Sequence, residues 1–216
     1  MTYQEVEDLI DTRQVSAVIK WIDEGGDPNL GIEENRFPLI LDIIDEFYEV
    51  PDDPSFLRLL EHFLLKGALL NIPKKEVPIP LFEAVQAKCN KAVELFIAHK
   101  ANVNVISHKG EYPTYTPLLI AVENEDLKCV KLLAKLTNME MMHLTGGYQV
   151  SSALGCACLH FNAPIIEELL KNGANPYFEE WDSNNDYSMN LHLNDRTLAQ
   201  QLQLDELIRK FSKYKI

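Results

Sequence analysis

Apolar residues recur along the chain at the three- and four-residue spacing of amphipathic helices. This spacing occurs in five stretches, each followed by a polar turn. The apolar positions that mark them are Val18, Trp21 and Ile22; Leu60, Phe63 and Leu64; Val93, Phe96 and Ile97; Cys129, Leu132 and Leu133; Ile166, Leu169 and Leu170. Five similar helices spread over the whole chain indicate a repeated unit.

The turns that follow these helices resemble one another. Segments 24–29, 66–71 and 99–104 have the sequences EGGDPN, KGALLN and HKANVN, and segment 172–176 has the sequence NGANP. Glycine and asparagine tolerate the left-handed conformation that ends a helix, which explains why they recur. The spacing indicates a repeat with insertions: steps of 42, 33, 36 and 37 residues separate Asp27, Leu69, Asn102, Asn138 and Asn175.

A shorter apolar segment precedes each of these helices. Proline opens three copies, at Pro38, Pro80 and Pro117. A proline in the first helical turn removes no hydrogen bond, so it marks a helix start. The copy at 152–157 keeps small and apolar residues without the proline, and 196–199 begins a terminal copy. The pattern therefore predicts helix pairs whose first helix is short.

These residues resemble the ankyrin repeat, a unit of about 33 residues that opens with Thr-Pro-Leu-His-x-Ala. Segment 116–121, TPLLIA, matches that opening except at the histidine, and segment 172–176 is similar to the closing turn. No copy carries the histidine, so the chain resembles a divergent member of the family. The resemblance implies an all-α fold, an ankyrin-type helical repeat solenoid of about five helix pairs plus a C-terminal cap, with long hairpin or loop insertions.

We expect a single domain over residues 1–216, because no glycine-, serine- or proline-rich linker divides the chain. The predicted repeats and cap cover approximately residues 2–35, 36–77, 78–113, 114–149, 150–194 and 195–216.

Both ends of the chain suit a cap. Thr2 and Glu5 have the spacing of a capping box at the start of the first helix. The last helix is expected to run from acidic Asp205 and Glu206 to basic Arg209, as the helix dipole favours.

Insertions into a repeat array lie in loops and often mark the binding face. Residues 46–54 are expected to lengthen one interhelical connection, residues 105–115 to form a finger, and residues 177–194 to form the longest insertion. Aromatic rings bury large rigid surfaces and carboxylates attract cations, so we expect a protein interface. Alternatively, Trp181 and Tyr187 cover the core of the array. The predicted contact residues are Glu33, Glu34, Glu49, Asp52, Asp53, His108, Glu111, Tyr112, Tyr115, Glu179, Glu180, Trp181, Asp182, Asp186 and Tyr187.

Charge narrows the choice of partner. The net charge is −13, and residues 1–61 hold sixteen Asp and Glu against four Lys and Arg, whereas the remainder is nearly balanced. Such a field repels nucleic acid and anionic membranes and attracts a basic protein. Alternatively, the acidic residues only keep the protein soluble.

The sequence contains no recognisable catalytic or cofactor motif. The six histidines are scattered, without a His-Glu-x-x-His pair, and no Gly-x-Ser-x-Gly segment or phosphate-binding glycine loop is present. Segment 182–186 has alternating oxygen ligands, but Tyr187 replaces the turn glycine of a calcium loop and Leu193 its glutamate. The four cysteines lack Cys-x-x-Cys spacing and suit buried positions. We therefore expect no enzymatic activity, no cofactor and no metal.

The N-terminus lacks the basic and apolar parts of a secretory signal, and no apolar run has membrane-spanning length, so we expect a cytoplasmic protein. We also expect it to be a monomer on its own. The ankyrin resemblance implies protein recognition. Small acidic proteins of this kind are similar to immunity partners of bacterial toxins, which suggests an inhibitor that occludes a basic toxin. The alternatives are a scaffold or host-directed effector and, from another class, an enzyme that uses carboxylates carried on loops.

Overall fold

The computed structural model of the chain describes residues 1–32, 36–71, 78–108, 114–139, 143–145, 149–176, 180–181, 188–189 and 198–212. For most strand residues and for the start of the last helix it describes the backbone alone. The chain forms two compact units, Met1–Asn102 and Val103–Ile216.

The unit Met1–Asn102 consists of three helix pairs. Its helices are α1 (Tyr3–Asp11), α2 (Val15–Asp23), α3 (Leu39–Glu49), α4 (Pro54–Leu65), α5 (Pro80–Gln86) and α6 (Asn90–Ala98). The two helices of each pair pack together, α1 and α5 both pack on α3, and α4 packs on α2 and α6. Each pair therefore buries its apolar faces against its neighbours, as the repeat pattern predicts.

The unit Val103–Ile216 continues the pattern and adds three hairpins. Its helices are α7 (Pro117–Glu123), α8 (Leu127–Leu133), α9 (Ala153–Leu159), α10 (Ala163–Lys171) and α11 (Leu198–Phe211). Antiparallel strands join β1 (Ser107–His108) to β2 (Thr114–Tyr115), β3 (His143–Thr145) to β4 (Gln149–Ser151), and β5 (Glu180–Trp181) to β6 (Ser188–Met189). In its described parts the chain thus has the predicted five helix pairs and terminal helix.

The core consists of the apolar positions that carry the repeat pattern. Ile22, Phe63 and Phe96 of the second helices have no exposed surface. Full burial of one such side chain contributes about 1.5–3 kcal/mol. The first helix α7 is equally apolar, since every residue from Pro117 to Val122 is buried. Stacking of pairs is therefore the main source of stability.

Asparagine side chains join successive repeat turns from Asn29 to Asn102. The Asn29 side chain accepts a hydrogen bond from the Leu69 N–H at 2.8 Å and donates one to the Gly67 carbonyl at 3.1 Å. Asn71 makes the same two bonds to Asn102 and Lys100, at 2.8 and 3.4 Å.

In the unit Val103–Ile216, the Asn104 side chain accepts a hydrogen bond from the Asn138 N–H at 2.8 Å. The N–H groups of Leu69, Asn102 and Asn138 occupy the aligned position of the repeat. These bonds explain why the turns recur at aligned positions in the sequence, because each bond requires the same register between neighbouring repeats.

A second row of contacts lies at the turns inside the helix pairs, where Arg13, Asp52 and Glu125 have φ values of 56°, 60° and 54°. Arg13 bonds to Glu46 and Asp53 of the next pair. Asp52 accepts hydrogen bonds from the Lys91 N–H at 3.1 Å and the Cys89 thiol at 3.3 Å, and Glu125 accepts one from Asn162 at 3.3 Å. Within the unit Met1–Asn102, neighbouring pairs are thus bonded at both ends.

The left-handed residues that end the second helices agree in part with the sequence. Gly25, Gly67 and Gly173 have φ values of 100°, 93° and 93°, as predicted. In the third pair the left-handed residue is Lys100, with φ of 64°, rather than an asparagine. Asparagine recurs in these turns because of its side-chain bonds to the next repeat.

The predicted lengthening of the connection at residues 46–54 amounts to one residue. Helix α3 continues to Glu49 and α4 begins at Pro54, so this connection has four residues, against three inside each of the other pairs. Phe47 lies one turn after Ile43 and Ile44 and is fully buried with them, which stabilises the extra helical turn. The additional residues therefore extend the first helix of this pair to 11 residues.

The capping box of Thr2 and Glu5 is confirmed at the start of α1. The terminal helix differs from its prediction, because α11 begins at Leu198 and places Asp205 and Glu206 in its middle. Its last turn is basic, with Arg209 and Lys210, as expected for the negative end of a helix dipole.

Replacement of Asn29 should weaken the tie between the first two turns. We expect Asn29→Ala to lower the free energy of unfolding by about 1 kcal/mol, because the Leu69 N–H and the Gly67 carbonyl lose the side chain that bonds to both. Equilibrium urea unfolding measures the change. Asn29→Asp keeps the acceptor for Leu69 and should cost less, and equal stability of all three proteins would contradict a role for this bond.

Candidate protein-binding surface

Helices α1 and α3 carry carboxylates at successive helical turns. We define the acidic face as six residues, Glu7 and Asp11 of α1 and Asp42, Asp45, Glu46 and Glu49 of α3. Residues three and four positions apart share one side of a helix, and α1 packs against α3. The six carboxylates therefore lie on adjacent surfaces of the unit Met1–Asn102.

Asp42 is the most buried member of the acidic face. The Tyr3 hydroxyl donates a hydrogen bond to its carboxylate at 3.3 Å. Burial and then the nearby charges of Glu7, Asp45 and Asp11 together raise the pKa of Asp42 to about 7, although the Tyr3 hydrogen bond lowers it. Asp42 is therefore a carboxyl group that titrates close to neutral pH.

The packing of Tyr3 fixes the position of its hydroxyl. Tyr3 is 6% exposed, and the Arg36 guanidinium lies 4.7 Å from the centre of its ring. Gly31 has φ of 97°, and a Cβ atom there would lie 2.5 Å from the ring. A glycine is needed at this turn because any side chain would displace the ring that reaches Asp42.

Glu46 connects the acidic face to Arg13, which lies in the turn between α1 and α2. Burial raises its pKa, the Arg13 guanidinium lowers it, and Asp11, Asp53 and Glu49 raise it. Arg13 also lies 4.7 Å over the ring of Phe56. The bonds of Arg13 to Glu46 and Asp53 neutralise only the end of the face beside the turn, and the remaining carboxylates repel one another.

Tyr48 adds an aromatic side chain beside the carboxylates. It is 44% exposed, and its hydroxyl donates a hydrogen bond at 3.0 Å to the carboxylate of Glu83, which is 8% exposed. Burial raises the pKa of Tyr48, as do the charges of Glu83 and Asp45. Tyr48 is thus held in one position with much of its ring accessible.

The predicted contact residues of segment 46–54 fall into two groups. Glu49 is exposed at the end of α3 and belongs to the acidic face. Asp53 caps α4 by accepting a hydrogen bond from the Ser55 N–H at 2.8 Å, and it also bonds to Arg13. Asp52 accepts hydrogen bonds from the Lys91 N–H and the Cys89 thiol. Both aspartates therefore hold the repeats together in this structure.

The predicted finger at residues 105–115 contains the hairpin of β1 and β2, in which His108 pairs with Thr114. Tyr115 is partly buried. Burial raises its pKa, and the charges of Glu123 and Cys156 raise it by smaller amounts. The third insertion contains the hairpin of β5 and β6, whose backbone pairs Glu180 with Met189 and Trp181 with Ser188. The other predicted contact residues lie outside the described part of the chain: Glu33, Glu34, Glu111, Tyr112, Glu179, Asp182, Asp186 and Tyr187.

The acidic face is a surface that the sequence interpretation missed. It assigned contacts to loops, whereas Glu7, Asp11, Asp42, Asp45 and Glu46 are helical. The signal was present in the sequence, because acidic residues recur in both helices at intervals of three and four.

The described residues contain little that suggests catalysis. All four cysteines are buried, and burial raises the pKa of the Cys89 thiol to about 11 and that of Cys129 to about 12. Within the described ranges, no three His, Cys, Asp or Glu side chains group as a metal site requires. The calcium-like residues 182–187 and Leu193 lie outside them.

A hollow of about 460 Å³ lies at the starts of α2 and α4. Arg13 is the one ionisable residue among the described residues that line it. The other lining residues are neutral: Gln14, Val15, Ser16, Ala17, Ser55 and Phe56. Such a hollow lacks the pair of ionisable groups that acid–base catalysis needs. None of the helices in the described ranges is both long and apolar enough to cross a membrane.

Neutralisation of Asp42 should change the dependence of stability on pH. The folded state holds the proton of Asp42 up to about pH 7, whereas the unfolded state releases it near 3.8, so the wild type loses stability as pH rises between these values. We expect Asp42→Asn to escape this loss, so that its stability relative to wild type increases from pH 4 to 7 and then levels off. Urea unfolding at several pH values measures the difference, and a constant difference would show that Asp42 titrates normally.

Comparisons with known proteins identify the repeat. Residues 81–180 match the family model described as ankyrin repeats (3 copies). No curated protein sequence matches the chain.

Two solved structures show the same fold. The ankyrin repeat domain of Bcl-3, described as a unique member of the IkappaB protein family, is 21% identical with a TM-score of 0.56, over 94% of this chain and 97% of that one. The human ASB11 ankyrin repeat domain is 16% identical with a TM-score of 0.58, over 94% of this chain and 96% of that one. These similarities extend the ankyrin-type fold beyond the residues that match the family model.

Ankyrin repeats mediate binding to other proteins and typically act as scaffolds without catalytic activity. The absence of enzymatic activity stays a prediction for this chain. Residues 81–180 thus match ankyrin repeats, and the chain has the ankyrin-type fold.

Proposed function

We propose that this protein binds a basic partner protein through the acidic face of α1 and α3. The observation that carries the proposal is the grouping of six carboxylates on two packed helices, where burial and then the neighbouring carboxylates raise the pKa values of Asp42 and Glu46. Lysine or arginine side chains of a partner would relieve this repulsion. The protein would thus recognise charge without performing any chemistry.

Electrostatic attraction would act mainly on the rate of association. Clustered charge of one sign steers an oppositely charged protein toward the surface and suppresses other encounters. Asp11, Asp45 and Glu49 are exposed, so their charges reach solvent. These three residues would guide the partner before close contact forms.

Tyr48 would anchor the partner after the encounter. Tyrosine residues are enriched among the few interface residues that dominate binding energy, because a rigid ring loses little conformational entropy. The hydrogen bond to Glu83 already fixes the side chain, and exposed Val50 follows Tyr48 two residues later in the sequence. An apolar group flanked by basic residues would suit this surface.

The predicted finger residues would extend the contact. We retain His108, Glu111, Tyr112 and Tyr115 in the first finger as proposed contacts. Those in the other loops are Glu33, Glu34, Glu179, Glu180, Trp181, Asp182, Asp186 and Tyr187. We assign Asp52 and Asp53 a structural role, since their side chains bond to neighbouring repeats.

More specifically, we propose an immunity protein that occludes the basic active site of a bacterial toxin. An acidic surface can imitate the phosphates that a nuclease site binds, and it can do so without being cleaved. In this proposal the protein acts as a cytoplasmic monomer that meets the toxin where the toxin would act.

Capture of the partner tests the proposal. Immobilised protein should retain a basic protein at low salt and release it at high salt, since screening weakens attraction between charges. If a gene beside that of this protein encodes a toxin, expression of the wild type should rescue cells that produce the toxin. A captured partner that is not toxic would support a scaffold, and retention of no basic protein at low salt would contradict the acidic-face proposal.

Charge reversal separates the acidic face from other acidic surfaces. We expect the double variant Asp45→Lys and Glu49→Lys to lower the association rate constant by about tenfold at low salt, with a smaller effect on dissociation. Surface plasmon resonance with the captured partner measures both rates. Glu61→Lys, an exposed change on α4, serves as the control. Equal rates for the double variant and the wild type would exclude these two residues from the contact surface.

A further inference from the structure

Asp42 lies at the junction of α1 and α3, where two helices contribute groups to one carboxyl. From α1, the Tyr3 hydroxyl bonds to it at 3.3 Å. The charges of Glu7 and Asp11 reach it from the same helix, and that of Asp45 from the next turn of α3. The position is therefore half-buried and surrounded chiefly by negative charge.

The other elements beside α3 add little positive charge at this point. The single charged residue of α5 is Glu83, which bonds to Tyr48. Helix α4 turns its apolar residues inward and carries Arg58, Glu61 and His62 at exposed or partly exposed positions. Arg36, in the segment before α3, stacks on Tyr3. Burial and carboxylates thus dominate the environment of Asp42.

A carboxyl group in such an environment retains a proton at a pH where exposed carboxylates have lost theirs. The pKa of Asp42 is raised to about 7. Near neutral pH the free protein is therefore a mixture of protonated and ionised Asp42. A cation brought to the acidic face would favour the ionised form, because it offsets the charges that hold the proton in place.

We propose that a cationic partner displaces a proton from Asp42 when it binds to the acidic face, so that binding tightens as the pH rises toward neutral. This inference rests on the proposed function of the face. At pH 5.5 a partner must first ionise the protonated carboxyl, whereas at pH 7.5 much of that cost is absent. By linkage, affinity then increases with pH over the range in which a proton is released. The protein would bind weakly in an acidified environment and tightly in a neutral one.

Nona-arginine is a suitable probe, because its guanidinium groups stay charged throughout this pH range. Isothermal titration calorimetry of the full chain at pH 5.5, 6.5 and 7.5, in buffers of different ionisation enthalpy, measures affinity and the number of protons released. We expect the dissociation constant to fall by about tenfold between pH 5.5 and 7.5, with up to one proton released.

Two variants identify the source of that proton. Asp42→Asn should still bind nona-arginine through the other five carboxylates, with a much flatter dependence on pH and less proton release. Asp45→Asn should bind more weakly and still depend on pH, with the dependence moved toward lower pH, because the charge of Asp45 helps to raise the pKa of Asp42. The six histidines are unchanged in both variants, so the difference between wild type and Asp42→Asn isolates Asp42.

The outcomes distinguish the two proposals. Binding by wild type and Asp42→Asn with the same pH dependence would overturn the proton linkage and leave the basic-partner proposal intact. Undetectable binding of nona-arginine at every pH and low salt would overturn both. A carbon-13 titration of the Asp42 carboxyl gives a second measurement, since its midpoint should move to lower pH on addition of nona-arginine, and an unmoved midpoint would contradict the linkage.

Discussion

Each helix pair of this protein can bury its apolar faces only against its neighbours, and the rest of the structure depends on that constraint. Asparagine side chains at the repeat turns fix the register of successive pairs, through the bonds of Asn29 and Asn71. Arg13 and Asp52 tie the opposite ends of the pairs. The consequence is that α1 and α3 are held side by side.

That arrangement gives the acidic face its properties. Two helices with carboxylates at successive turns would be ordinary solvent-exposed helices if they were apart. Packed together, they place Asp42 beside Glu7 and Asp11, where burial and repulsion make its ionisation unfavourable. The energy of stacking therefore offsets the cost of concentrating charge, and a surface suited to a basic protein results.

Much of the fold could be predicted from the sequence because the repeat signal is periodic. The turns at Gly25, Gly67 and Gly173, the prolines of the first helices and the apolar faces all agreed with the structure. The length of α3 could not be predicted as easily. The sequence placed a lengthened connection at residues 46–54, whereas burial of Phe47 extends the helix.

The binding surface was harder to predict than the fold. An acidic N-terminal region was evident from composition, but whether its charges meet depends on which helices pack together. The contacts of Asp52 and Asp53 illustrate the limit, since carboxylates that resemble interface residues in a loop instead bond to Lys91 and Arg13. Long-range contacts of this kind follow from the stacking and not from the local sequence.

Hydrogen–deuterium exchange of the protein with and without its captured partner tests the central claim most directly. If the acidic face is the contact surface, protection on binding should be greatest in residues 3–11 and 39–49. Protection confined to the insertions at 105–115 and 177–194, with α1 and α3 unchanged, would contradict the account.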